Sequence, residues 1–190
     1  MKTLITAVFV ALITVPLSAQ DISLTQQGNN EQNRFYANLI SKAATLHGDW
    51  GLFGGMRAGY NFNNNISLGL VAHGLIPEKL GKSYINRDGR DDLHVGYGGI
   101  EAAYRYDLSN KFYLTGAVMI GAGRIDYETR DDNDYFFITE PGVSINYSIT
   151  KWFGLGYAVN YRLASGVKYA DFSNASLSGW SMDLAFNFGF

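Results

Sequence analysis

The 190-residue chain contains no cysteine. Disulfides, thiolate metal sites and thiol nucleophiles are excluded together, and so is a lipoprotein, whose lipid is attached to a cysteine behind the signal. Proline is scarce, at positions 16, 77 and 141 only. Beyond the first 20 residues there is no long apolar run, so the body of the chain lacks the roughly 20 residues a spanning helix needs. A basic excess is also missing. The net charge is −2 with the charges scattered, which leaves no electrostatic footprint for nucleic acid. What the chain does have is glycine, 22 residues of it, and aromatics at 15%. Glycine and aromatics without long apolar runs point to alternating β-strands.

The one continuous apolar run opens the sequence. Lys2, the stretch Leu4 to Val15 and the small residues of Pro16-Leu-Ser-Ala19 have the charged, apolar and cleavage regions of a secretory signal peptide, assigned to residues 1–20. Loss of Lys2 leaves 14 basic residues against 17 acidic ones, a net charge of −3. Residues 21–34 are polar and turn-rich and are expected to be a periplasmic lead-in; the barrel domain is assigned to 35–190.

The end of the chain is the most informative stretch. Trp180, Met182, Leu184, Phe186, Phe188 and Phe190 share one face at period two, against Ser181, Asp183, Ala185, Asn187 and Gly189. A bulky apolar face opposite a small polar one suits a strand between lipid and a narrow polar lumen. It resembles the closing strand of a bacterial outer-membrane β-barrel, in which Phe190 would be the assembly signal. Ten residues at ~3.3 Å each, tilted by about 40°, span roughly 25 Å, the height of such a barrel's apolar band.

The same alternation recurs upstream, with Trp50, Met56, Tyr60, Leu68, Leu70, Ile100, Tyr104, Leu114, Val118, Val143, Ile145, Leu155 and Tyr157 outward. Phe35 to Thr45 alternates most weakly and is read as a strand because a single-chain barrel needs an even number. Gly98-Gly99 predicts a bulge or bend. Pro141, which has no ladder donor, predicts a break or bulge in its strand. Short turns at 63–65, 107–111 and 148–151 alternate with longer links at 77–92, 129–134 and 164–177, as periplasmic turns and outer loops do. The fold expected is all-β, a transmembrane antiparallel up-and-down barrel of eight strands. A soluble barrel would have to bury the bulky parity, which eight strands cannot enclose.

The inward parity collects Arg57, Arg105 and Arg162 with Glu101, Glu140 and Asp183, alongside His73, Asn146, Asn160 and Asn187. Charges confined in so narrow a lumen must pair. A structural ion-pair network is the first reading, and a gated path for protons or small ions the second. No Ser-His motif is present; His47 and His94 fall near the outer rim, where a lipid-modifying barrel would need a His-Ser-acid cluster, for His94 one with Ser83 and the rim acids. Asp91-Asp92 and Asp131-Asp132 are loop carboxylates without EF-hand spacing, so no metal or other cofactor is expected.

Gly54-Gly-Met-Arg-Ala-Gly-Tyr60, Gly96-Tyr-Gly-Gly-Ile-Glu-Ala-Ala-Tyr104, Ile120-Gly-Ala-Gly123, Glu140-Pro-Gly-Val143 and Tyr161-Arg162 resemble the small outer-membrane β-barrel proteins of two-membrane bacteria. The likeness extends over most of 48–190. It implies an integral outer-membrane location and supplies no catalytic residues. The expected partners are outer-membrane lipid, lipopolysaccharide and the barrel-assembly machinery, with no nucleic acid. The expected role is structural, surface-binding or envelope assembly, without catalysis. A lipid-modifying barrel enzyme and a narrow transport protein are the alternatives.

Overall fold

The computed structural model describes residues 35–46, 48–62, 65–76, 93–127, 133–169 and 172–189. Residues 1–34, read from sequence as a signal peptide and a lead-in, and His47, Ser83, the acidic pairs at 91–92 and 131–132, and Phe190 lie outside the described residues. Eight strands follow one another: β1 (Phe35–Leu46), β2 (Asp49–Asn61), β3 (Ile66–Leu75), β4 (Leu93–Asp107), β5 (Phe112–Tyr127), β6 (Asn133–Ser148), β7 (Phe153–Ser165) and β8 (Gly179–Gly189). Each pairs antiparallel with the next, and β1 pairs with β8 from Tyr36↔Gly189 to Ala44↔Ser181. The barrel is closed, so no strand edge is left unpaired.

The parity read from sequence sorts outside from inside. Met56, Leu70, Ile120, Phe137 and Val143 are 63–73% exposed, while Phe53, Val71, Met119, Phe136 and Ile138 on the same strands are buried. Water would not tolerate so wide an apolar exterior; a bilayer requires it. The short-turn end carries an aromatic girdle: Phe35 on Tyr60, Tyr60 on Phe62, Phe112 on Tyr147, and Phe153 on Phe188, with centroids 4.7–5.4 Å apart. At the opposite end Tyr161 meets Trp180 edge-on at 4.9 Å.

Of three local expectations, the break at Pro141 is met and the other two are corrected. The Gly98-Gly99 pair makes no bulge, since the ladder from Leu93↔Tyr127 to Asp107↔Tyr113 keeps one register throughout. These glycines instead allow close approach: a Cβ on Gly99 would lie 2.7 Å from the Gly121 Cα opposite. At Pro141 the break is real but carries no bulge. Pairing with β5 is continuous through Val118↔Pro141, whereas pairing with β7 stops at Thr139↔Leu163 and resumes in the same register at Gly142↔Asn160. The stretch 164–177 is more than a polar loop. β7 runs on to Ser165, and Asn174–Leu177 form a one-turn helix, α1. Ser173 caps it, accepting from Ser176 N while Ser176 Oγ accepts from Ser173 N. The link between β1 and β2 is also short, turning at Gly48 with φ +86°.

The interior has two zones. Toward the long-loop end, Leu46, Phe53, Leu93, Val95, Ile125, Phe136 and Ile138 pack into an apolar plug, joined by Tyr169 and Leu177 from the β7–β8 strap. Toward the short-turn end the lining turns to Asn, Ser, Thr and Arg. The strand-borne members lie on the parity opposite the lipid-facing one, and packing joins them into a continuous dry layer.

Candidate functional site

The charged side chains gather where the two zones meet, around a residue absent from the expected set. Lys42 is on the inward face of β1 and only 1% exposed. Its Nζ donates to Glu140 Oε1 and to the Tyr97 hydroxyl at 3.3 Å. It lies 3.4 Å from His73 Nε2 and 3.6 Å from Asp183 Oδ2. Four strands thus converge on the ammonium group: β3, β4, β6 and β8. Asn160 Nδ2 donates to Asp183 Oδ2 at 2.9 Å, and Ser181 Oγ donates to Glu140 Oε1 at 3.3 Å. Glycine makes room for the ring, because a side chain at Gly55 would overlap His73.

The six residues expected to balance one another divide into separate groups. Glu140 and Asp183 share Lys42. Arg57 and Glu101 form their own pair, Nε to Oε1 at 2.9 Å. Arg105 is inward in parity but lies low in the barrel, paired with Asp107 at 2.6 Å and stacked 3.8 Å over the Tyr113 ring. Among the described residues Arg162 makes no ion pair with a carboxylate. Its Nε donates to Leu177 O at 2.7 Å and its Nη2 to Thr45 O at 2.6 Å, with the guanidinium 5.5 Å from the Phe53 and Tyr97 rings. It ties the β7–β8 strap to the end of β1. Among the described residues, buried Lys42 and Arg162 and half-buried Arg57 stand against Glu101, Glu140 and Asp183. Lys42 takes the place that Arg105 vacates.

Below this cluster is an amide layer. Asn146 Nδ2 donates to Ser144 Oγ at 2.9 Å and Thr115 Oγ1 at 3.2 Å, and Asn187 Nδ2 donates to Asn146 Oδ1 at 3.0 Å. Among the described residues no three His, Asp or Glu side chains are grouped to hold a metal ion. His94 is on the lipid-facing parity at the outer lip, its side chain 45% exposed and its Nδ1 3.9 Å from Asp126 Oδ2. That is an acid and a histidine; the Ser83 that the enzyme alternative invokes lies outside the described residues.

No protein-family model matches the sequence, and no curated protein matches it. Solved structures do. The chain is similar to Neisserial surface protein A at 15% identity and a TM-score of 0.58, covering 82% of this chain and 97% of that one. The Ail attachment invasion locus protein of Yersinia pestis aligns at 11% identity and a TM-score of 0.53, over 82% and 96%. OprG of Pseudomonas aeruginosa aligns at 13% and 0.51, over 84% and 97%. The fold is that of the small bacterial outer-membrane β-barrels. With its apolar exterior and aromatic girdles, this outer-membrane barrel is an integral protein of the outer membrane. The short-turn end accordingly faces the periplasm and the strap end the cell surface.

Proposed function

We propose that this outer-membrane barrel is non-catalytic and works from its outer end, in a structural, surface-interaction or envelope-assembly role, with its lumen filled by side chains. One observation carries the reading: the interior is occupied through its outer half. From Lys42 to Leu177 the lining side chains are buried against one another, and Arg162 fastens the strap across the mouth. Such a lumen offers no route for a solute, which leaves the surface as the working part. An Ail barrel has been crystallised with the heparin analogue sucrose octasulfate. A barrel of this strand number can therefore bind a ligand, and the outer loops of this chain are where we place such a role. Outer-membrane lipid surrounds the apolar belt. Lipopolysaccharide at the outer rim and the assembly machinery are the further partners we propose.

The test is electrical. Purified barrel reconstituted in planar bilayers should give no discrete conductance steps under applied voltage. Reproducible single-channel steps would replace this reading with the transport one.

A further inference from the structure

Two independent irregularities coincide beside Lys42. The first lies in the side chains. Glu140 Oε2, Asp183 Oδ1, His73 Nδ1 and Arg162 Nη1 are buried and have no hydrogen-bond partner among the described residues. A fifth such atom, Arg57 Nε, already faces Glu101 across its ion pair. Three of the four are the far atoms of the very groups that hold Lys42. Buried polar groups are nearly always satisfied, so three such atoms around one ammonium group mark a binding site, and Arg162 Nη1, on the strand position facing Glu140, is a fourth candidate partner.

The second irregularity lies in the wall. Extending the register on either side of the β6–β7 gap would pair Glu140 with Arg162 and Pro141 with Tyr161. These are the rungs that are missing, and two of their four residues carry the unpartnered side-chain atoms. Pro141 has no N–H to donate, so at this level β7 loses one backbone donor, and a backbone acceptor left so at membrane depth is tolerated where it meets water.

The chemistry of the four atoms selects the ligand. Glu140 and Asp183 offer acceptors, and Arg162 offers a donor. Because Lys42 donates to His73 Nε2, the neutral ring carries its proton on Nδ1, a second donor. A free cation would meet Lys42 and Arg162, and a free anion would meet two carboxylates. A small neutral molecule that both donates and accepts suits the set. We propose that the Lys42 cluster is a site for ordered water, bridging these four side chains and the open β6–β7 rungs, and that this water enters only from the periplasmic end. The amide layer of Thr115, Ser144 and Asn146 gives it a polar approach from below, while the apolar plug closes the way from above. The site is then hydrated from one side only, beneath the closed outer half of the lumen.

Water-selective NOE and ROE spectra of the ¹⁵N-labelled full chain in detergent micelles test the site. Backbone amides of Glu140, Arg162 and Asp183 should show cross-peaks of opposite sign in the two spectra, the mark of water that tumbles with the protein. The amides of Ile125 and Ile138 in the plug should show none. Missing cross-peaks at the cluster, or equal ones in the plug, would overturn the proposal. The route has its own test, made clean by the absence of native cysteine. In oriented proteoliposomes, Ser144→Cys should react with a membrane-impermeant thiol reagent from the periplasmic side at least tenfold faster than Ile138→Cys does from either side. Comparable rates, or modification of Ser144→Cys from the outer side, would refute one-sided entry.

Discussion

Lys42 illustrates how one buried charge sets the conditions for its neighbours. Taking an ammonium and two carboxylates out of water is costly and is offset only while all three remain together. Lys42→Met would leave Glu140 and Asp183 side by side, both buried and without a cation in contact. We expect a loss of about 3–5 kcal/mol, read as a lower urea midpoint for the heat-modifiable folded band. Asp183→Asn should cost less, because Lys42 keeps Glu140 and the amide can still meet Asn160. A Lys42→Met midpoint equal to wild type, or one above that of Asp183→Asn, would show that the ion pairs are not what stabilises this level. The triple variant Lys42→Met, Glu140→Gln, Asp183→Asn should recover part of the loss by removing the charges together. None of this hierarchy was legible in the sequence. Lys42 lies on the inward parity of the weakest strand pattern, Phe35 to Thr45, whose alternation is carried by the outward residues Phe35, Ala37, Leu39 and Ala43 and gives the intervening ones no mark of their own. Arg105 had the right parity but the wrong height. Parity records which face a side chain is on, whereas pairing also depends on its level along the barrel, and that depends on shear between strands.

Strand order, direction and facing were legible because they rest on period-two alternation and turn length, both local properties. The strap was not. Val167, Tyr169, Phe172 and Leu177 are spaced irregularly among polar residues, and their burial follows from the strap folding back over the barrel mouth. What holds the strap is testable. Arg162 makes two charge-assisted bonds to the carbonyls of Leu177 and Thr45, each worth ~1.5–3 kcal/mol. Arg162→Met keeps much of the apolar stem over Phe53 and Tyr97 but removes both bonds. Limited proteolysis of intact cells should then cut within 166–178 at least several times faster than in wild type, with the barrel itself intact. An unchanged rate would assign the docking to Leu177 and Tyr169 alone. The β6–β7 gap is a second property of elements. Pro141 faces lipid and lacks a donor, so Pro141→Val restores an N–H that β7 can accept without crowding the lumen. The new amide at position 141 should exchange about tenfold slower than an amide without an acceptor, in line with one added bond of ~1 kcal/mol or more. Exchange at the unprotected rate would mean that the rungs are held open by something other than the proline.

At the scale of the whole molecule the question is where the seal resides. Two layers close the outer half of the lumen: a plug whose side chains are rooted in β1, β2, β4, β5 and β6, and a strap that lies across it. The plug residues Leu46, Phe53, Ile125 and Ile138 are fully buried side chains on strands fixed by a closed ladder. A gap among them would forfeit dispersion contacts as well as hydrophobic burial, since interiors pack at crystal-like density. The strap only adds Leu177 and Tyr169 above. Replacing residues 167–177 with a short Gly/Ser linker should therefore leave the barrel electrically silent. The newly uncovered apolar mouth should bind a hydrophobic fluorescent dye more strongly than wild type does. The opposite pairing is equally clear. If loss of the strap produces conductance steps, the strap is the seal, the strand-borne plug is permeable once uncovered, and the opening of the barrel depends on a surface segment.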